Sequence, residues 1–266
     1  MQKYLLKLTI AFVLVLSGCS ALQSEPVDET RTWSASKLYA EARDELASGN
    51  YEKAIQHFEK LESRYPFGVY AQQAQMEVAY AHYRQGEPAQ ALAAVDRFIK
   101  LHPNHPNVDY MYYLRGLINF NDRVSLFNFL SKQDLSERDP KAAREAFDSF
   151  KQLVDRFPNS IYADDARSRL NYLVNAMALY EVHVANYYYR RGAYLAAVNR
   201  AQTVVRDYGN APAVEEALFI MVRSYDALGM PELRNDAERV FKQNFPNSAF
   251  LKGEWQQSKP WWKFWQ

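Results

Sequence analysis

The chain is expected to fold as an all-α protein, with about five antiparallel helix pairs stacked into a right-handed superhelix. Three observations carry that expectation. A glycine precedes a proline by 17 positions three times, at Gly49 and Pro66, Gly86 and Pro103, and Gly229 and Pro246. Gly192 and Gly209 repeat the interval with glycine in place of proline. Two successive units superimpose at a shift of 37 positions, pairing Gly49 with Gly86, Ala54 with Ala91 and Pro66 with Pro103. Between such markers the apolar residues keep helical spacing, as at Tyr51, Ala54, Ile55, Phe58 and Leu61. Glycine takes the left-handed conformation that closes a first helix, and proline blocks continuation of the second.

The elements follow in chain order. Lys3 and Lys7 open the N-terminus, an apolar run from Leu8 to Leu16 follows, and the segment ends in Ser17-Gly18-Cys19. That is the layout of a secretory signal over residues 1–18, too short for the roughly 20 residues a spanning helix needs. Leu16-Ser17-Gly18-Cys19 resembles a bacterial lipobox, which implies cleavage after Gly18 and acylation of Cys19. The mature chain would then begin at Cys19, and loss of the two lysines takes the formal charge from +1 to −1. Cys19 is the only cysteine, so acylation leaves no free thiol, as suits an oxidising compartment. Ser20 in place of aspartate implies delivery to the outer membrane. Residues 19–34 lack helical periodicity and read as a lipidated tether.

Five helix pairs follow over residues 35–67, 72–104, 109–159, 162–210 and 212–247. Pairs one to three form an N-terminal part, 35–159, and pairs four and five a C-terminal part, 160–250. Their endings are alike: Arg64-Tyr-Pro-Phe, Leu101-His-Pro-Asn, Arg156-Phe-Pro-Asn-Ser, Asp207-Tyr-Gly-Asn and Asn244-Phe-Pro-Asn-Ser. Ala54, Ala91, Ala146 and Ala197 allow close helix approach, and Phe58, Phe98, Phe150 and Phe241 fill the space between units. The pattern resembles the tetratricopeptide repeat, whose period is 34. Two units depart from it. The first-helix region of unit four, 162–191, is twice the usual length and is one long helix or two. Unit three carries an insertion, 121–139, with the apolar cluster Val124 to Leu130; a loop that long is functional or packs on a neighbouring surface.

Catalytic chemistry is hard to find. One cysteine excludes an internal disulfide framework and a cysteine-based zinc site. His102 and His105 are the only close histidine pair, and they fall in a unit-ending turn with no third ligand in register. There is no Gly-rich phosphate loop and no nucleophile elbow. The carboxylate pairs Asp164-Asp165 and Glu215-Glu216 stand at helix starts, where the helix dipole favours them. With 32 basic against 31 acidic residues there is no cationic excess for a nucleic-acid backbone. The sequence therefore points to a binding protein with neither cofactor nor metal.

Stacked helix pairs expose a groove lined by their first helices. In register with unit one, its lining includes Tyr39, Arg43, Met76, Tyr80, Tyr83, Arg84, Tyr110, Tyr113 and Phe120. Tyrosine offers apolar area with a hydrogen-bonding tip, which suits an aromatic peptide with a carboxylate end. The competing role for each of these tyrosines is packing between repeats.

The lipobox, the repeats and several strings together resemble the BamD family of outer-membrane assembly lipoproteins. The strings are Arg64-Tyr-Pro-Phe-Gly, Asp96 to Tyr110, Tyr113-Leu-Arg-Gly-Leu, Arg138-Asp-Pro and Arg190-Arg-Gly-Ala-Tyr, and the likeness runs from Cys19 to about Phe250. It implies a non-catalytic scaffold, lipid-anchored at the periplasmic face of the outer membrane. Its implied partners are the barrel-forming subunit BamA, smaller accessory lipoproteins and unfolded outer-membrane proteins. The N-terminal groove would take the aromatic C-terminal signal of substrates, and the last two units would dock BamA, with Arg200 and Arg206 as candidate ion-pairing residues. A pilus-assembly or cell-wall-associated repeat lipoprotein would share the anchor and the fold.

The tail, 251–266, departs from that family pattern. Four of the five tryptophans lie in it, Trp255, Trp261, Trp262 and Trp265, interleaved with lysines. Such a segment suits a membrane interface or a partner-binding hook, or it folds back to cap the last repeat.

Overall fold

A computed structural model describes residues 28–120 and 140–252; Cys19, the 121–139 insertion and the tail tryptophans lie outside them. Within the described residues the chain is helical throughout. After a short 3-10 turn at Glu29–Thr32 come α1 (Ala35–Ala47), α2 (Tyr51–Arg64), α3 (Val69–Gln85), α4 (Pro88–Leu101) and α5 (Val108–Phe120). Then follow α6 (Pro140–Arg156), α7 (Ala163–Arg190), α8 (Tyr194–Asp207), α9 (Val214–Ala227) and α10 (Pro231–Asn244). These make five consecutive pairs. None of the described helices is long and apolar enough to cross a membrane.

The punctuation read from the sequence has a local cause. Gly49 has φ +81°, its N–H donates to the carbonyl of Leu46 at 3.1 Å, and the Asn50 N–H donates to Glu45 at 2.9 Å. This reciprocal closure satisfies carbonyls that the helix end would orphan. The turns at Gly86, Gly192 and Gly229 close in the same way. Second helices end differently. Tyr65, His102 and Phe245, each just before a proline, leave helical geometry with φ between −129° and −131°, as the proline ring demands of its predecessor. Tyr208 precedes Gly209, not proline, and adopts φ −129° all the same. A following proline is therefore not required for that bend in unit four.

The long segment of unit four is one unbroken helix, α7, of 28 residues. Helices α6, α8 and α9 all lie against α7. The alanines and phenylalanines picked from the repeat fall where close packing requires them. Ala54, Ala91, Ala146, Ala197, Phe58, Phe98 and Phe150 are fully buried and Phe241 nearly so.

The chain divides into two compact units, one ending at Ala74 and the other starting at Gln75. In the first, α1 packs on α2 and Tyr39 sits against Phe58 and Tyr70. In the second, Ala79, Ala91, Val95, Phe98, Met111, Leu114 and Ile118 form a core among α3, α4 and α5. Val108, Tyr112, Phe150, Leu153, Leu173 and Met177 form the next among α5, α6 and α7. A third joins Ala178, Val182, Ala201, Val204, Leu218 and Phe241 of α7 to α10.

Candidate functional site

Helix α5 has three faces. Met111, Leu114 and Ile118 turn toward α3 and α4, while Val108 and Tyr112 turn toward α6 and α7. Tyr110, Tyr113 and Phe120, spaced by three and seven residues, form a stripe left half-buried. Opposite that stripe stands the start of α7. Tyr162 stacks on Tyr113 with ring centroids 4.8 Å apart and planes at 17°, and lies 5.6 Å from Tyr110. The Tyr113 hydroxyl donates to Asp165 Oδ2 at 2.8 Å, and Arg169 Nε donates to the same oxygen at 2.6 Å. The Arg169 guanidinium lies 4.9 Å over the Phe120 ring, and Tyr172 meets that ring edge-on at 5.8 Å. The result is a continuous surface of rings and paired charges.

Next to it opens a cleft of about 390 Å³ lined by Met76, Pro106, Asn107, Asp109, Tyr110, Ile161 and Tyr162. Asp109 is fixed at its edge: Oδ1 accepts from the Tyr110 N–H at 2.8 Å and Oδ2 from the Ser160 hydroxyl at 2.6 Å. Ile161 is exposed on the rim. Burial, reinforced by the charge of Glu77, raises the Tyr110 phenol well above its ordinary range. Burial and the hydrogen bond to Asp165 push Tyr113 up to about 12. Both hydroxyls therefore stay protonated donors at any physiological pH. Burial would raise the Asp165 carboxyl, but the hydrogen bonds from Arg169 and Tyr113 outweigh it and hold the group below its ordinary value. The surface thus offers apolar ring faces, neutral donors and fixed carboxylates, an arrangement for holding a chain segment.

The sequence-derived groove set is distributed unevenly over this structure. Met76, Tyr80, Tyr83 and Tyr110 pack around one core cluster while staying half-buried, so packing and surface roles coexist in them. Arg84 donates to the Tyr80 hydroxyl at 2.5 Å and lies over that ring. Tyr39 and the exposed Arg43 belong to the first compact unit. Tyr162, Asp165, Arg169 and Tyr172 were missed. Counting back from the turn glycine, as for Gly49 and Gly86, leads from Gly192 to the far half of α7, because this helix is longer than its counterparts.

The second candidate region engages its own chain. Arg200 of α8 donates to Glu181 Oε2 at 3.1 Å, and Arg144 of α6 approaches the other oxygen at 4.0 Å. Glu181 is only 2% exposed, so the pair joins three helices around a buried carboxylate. Arg206 forks onto its neighbour Asp207 at 2.7 and 3.0 Å and remains largely exposed. Of the histidines weighed as ligands, His102 bonds Gln75 at 2.9 Å and flanks Phe98 together with His105.

Fold and surface define a helical-repeat protein with a half-buried face of aromatic rings and paired charges. A family model described as an outer membrane lipoprotein, YfiO, matches residues 31–240. The outer membrane protein assembly factor BamD of Neisseria meningitidis serogroup B is 50% identical over 268 residues, covering 100% of both chains. The BamD proteins of Xylella fastidiosa strain Temecula1 and Vibrio cholerae are each 36% identical, covering 94% and 89% of this chain and 85% and 98% of their own. The chain belongs to the BamD family. Its relatives are named as assembly factors, which is a non-catalytic role. The crystal structure of MamA protein covers 85% of this chain at 16% identity with a TM-score of 0.36, a likeness too weak to bear on function.

Proposed function

We propose that the protein is a lipid-anchored scaffold of outer-membrane β-barrel assembly, held through Cys19 and facing the periplasm. In this role it binds a BamA-like barrel subunit and accessory assembly lipoproteins, and receives unfolded outer-membrane proteins. The observation that carries this reading is the full-length 50% identity to proteins named for that process. The aromatic surface on α5 and the start of α7 supports substrate receipt, because barrel strands alternate apolar and polar residues. Such a chain would lay its rings on Tyr110, Tyr113 and Tyr162 and donate main-chain N–H groups toward Asp109. The exposed Arg206 remains a candidate contact for the barrel subunit. Arg200 would act there through the buried Glu181, orienting α8.

A pull-down of the intact lipoprotein from detergent-solubilised outer membranes tests the proposal. A large β-barrel protein and smaller lipoproteins are expected in the eluate. Their reproducible absence would overturn it.

A further inference from the structure

The connection between α2 and α3 carries the most exposed large apolar side chain of the described residues. Phe67 is 92% exposed, and its neighbours Tyr65, Val69 and Tyr70 are 39%, 66% and 42% exposed. Gly68, with φ +99°, turns the chain sharply beside Phe67. Packing within the first compact unit gives this ring no cover, so folding does not explain it.

The base of the loop is tied to the beginning of the described chain. Arg64 donates to Asp28 Oδ2 and to the Thr30 carbonyl, and to the Thr30 hydroxyl at 3.1 Å. Lys60 pairs with Asp28 at 3.2 Å, and the Tyr65 hydroxyl donates to the Trp33 carbonyl at 3.0 Å. The Asp28 carboxyl is held far below its ordinary range, chiefly by the Thr30 hydroxyl. Cys19 precedes Asp28 by nine residues, which at full extension reach about 30 Å. Phe67 is three residues beyond Arg64, which holds Asp28, so the loop lies beside the point where the stretch from Cys19 joins the fold.

We propose that the loop Tyr65–Tyr70 is a second membrane contact, inserting Phe67 at the headgroup and acyl boundary beside the lipid anchor. This inference rests on the reading of Cys19 as acylated. The composition fits an interface: Trp33, Tyr65 and Tyr70 are amphipathic rings of the kind enriched there, and Lys37 lies 4.4 Å from the Trp33 ring. An acyl anchor on a tether fixes position but not orientation. A second contact on the folded unit supplies orientation, and a lone ring suffices because the anchor already provides affinity.

With Cys19 acylated the mature chain has no other thiol, so Val69→Cys accepts a single nitrobenzoxadiazole probe beside an intact Phe67. Ser48→Cys, in the exposed turn at the opposite end of the α1 and α2 pair, is the control. Both full-length lipoproteins are placed in vesicles of phosphatidylethanolamine and phosphatidylglycerol containing doxyl-labelled lipid, after intact-mass measurement of the acyl groups. The expected result is a blue-shifted, lipid-quenched probe at position 69, an unshifted one at 48, and loss of about half of the quenching or more when Phe67→Ser is added. Acyl mass present with position 69 as solvated as position 48 overturns the loop contact and leaves the anchor standing. Acyl mass absent overturns the anchor and the inference with it. A shift produced by an added unfolded barrel protein but not by vesicles assigns the loop to a protein partner and also overturns it.

Discussion

Replacing Gly116 with alanine would put a methyl group inside an occupied space. An ideal Cβ at this position lies 2.4, 2.5 and 2.7 Å from Cε1, Cδ1 and Cζ of Phe150, whereas carbon atoms pack comfortably at roughly 3.5–4.0 Å. The ring must retreat by about 1 Å to restore that spacing. It has nowhere easy to go, being fully buried with Phe120 and Tyr113 at 6.2 and 6.0 Å. Overpacking of this kind costs about 1–3 kcal/mol, and alanine returns about 0.8–1.0 kcal/mol of helix propensity in α5. A net loss of about 1 kcal/mol follows, a fall of roughly 2–4 °C in Tm for a chain of this size. A thermal-denaturation double-mutant cycle isolates the cause. In a Phe150→Leu background the clash is relieved, and Gly116→Ala should turn neutral or stabilising. An equal penalty in both backgrounds, or no penalty in the natural one, would refute the reasoning.

Three further outcomes are expected. Arg200→Ala should cost about 2–3 kcal/mol in urea unfolding by leaving the buried Glu181 carboxylate with the more distant Arg144 at 4.0 Å, and Glu181→Gln in that background should recover part of the loss; additive effects would show that the two do not interact. Asp165, whose folded carboxyl titrates below its ordinary value, contributes stability that is present above that value and lost as pH falls through the folded one. Acid titration of stability should therefore be shallower for Asp165→Asn than for the natural chain, and a superimposable curve would remove Asp165 from the account. Gly209→Pro should be neutral or raise stability by about 0.5–1 kcal/mol, since Tyr208 already has the extended φ of its pre-proline counterparts; a marked drop in Tm would mean that the Gly209 backbone itself cannot accept proline.

Much of the architecture was written in local chemistry. Gly49, Gly86, Gly192 and Gly229 each mark a turn because few other residues tolerate the backbone there, and that requirement survives any change in packing. Phe58, Phe98, Phe150 and Phe241 were recoverable as core for a similar reason, since helical periodicity leaves one face no alternative. The binding surface was only half legible. Tyr110 and Tyr113 follow from register within α5, but their partners Tyr162, Asp165 and Arg169 depend on where a helix begins, and α7 begins about a dozen residues earlier than the repeat suggests. Asp165 also illustrates how a correct local explanation hides a second one. It does stand in the first turn of α7, as dipole arguments require, yet its oxygen is also where Tyr113 and Arg169 converge. Likewise nothing local in Arg200 announces Glu181, nineteen positions away on another helix.

The unbroken course of α7 has a mechanical consequence. At 1.5 Å per residue its 28 residues form a rod of about 42 Å. Tyr162 and Asp165 ride on one end, while Glu181 and Asn186, which reaches Glu216 of α9 at 2.6 Å, ride toward the other. A torque applied by a partner at either end is delivered to the opposite end without a hinge to absorb it. The same stiffness restricts evolution: one residue inserted midway would rotate the two ends relative to each other by about 100°, uncoupling Tyr162 from Tyr113 or Glu181 from Arg200. Length changes in this stretch should be tolerated only near whole helical turns.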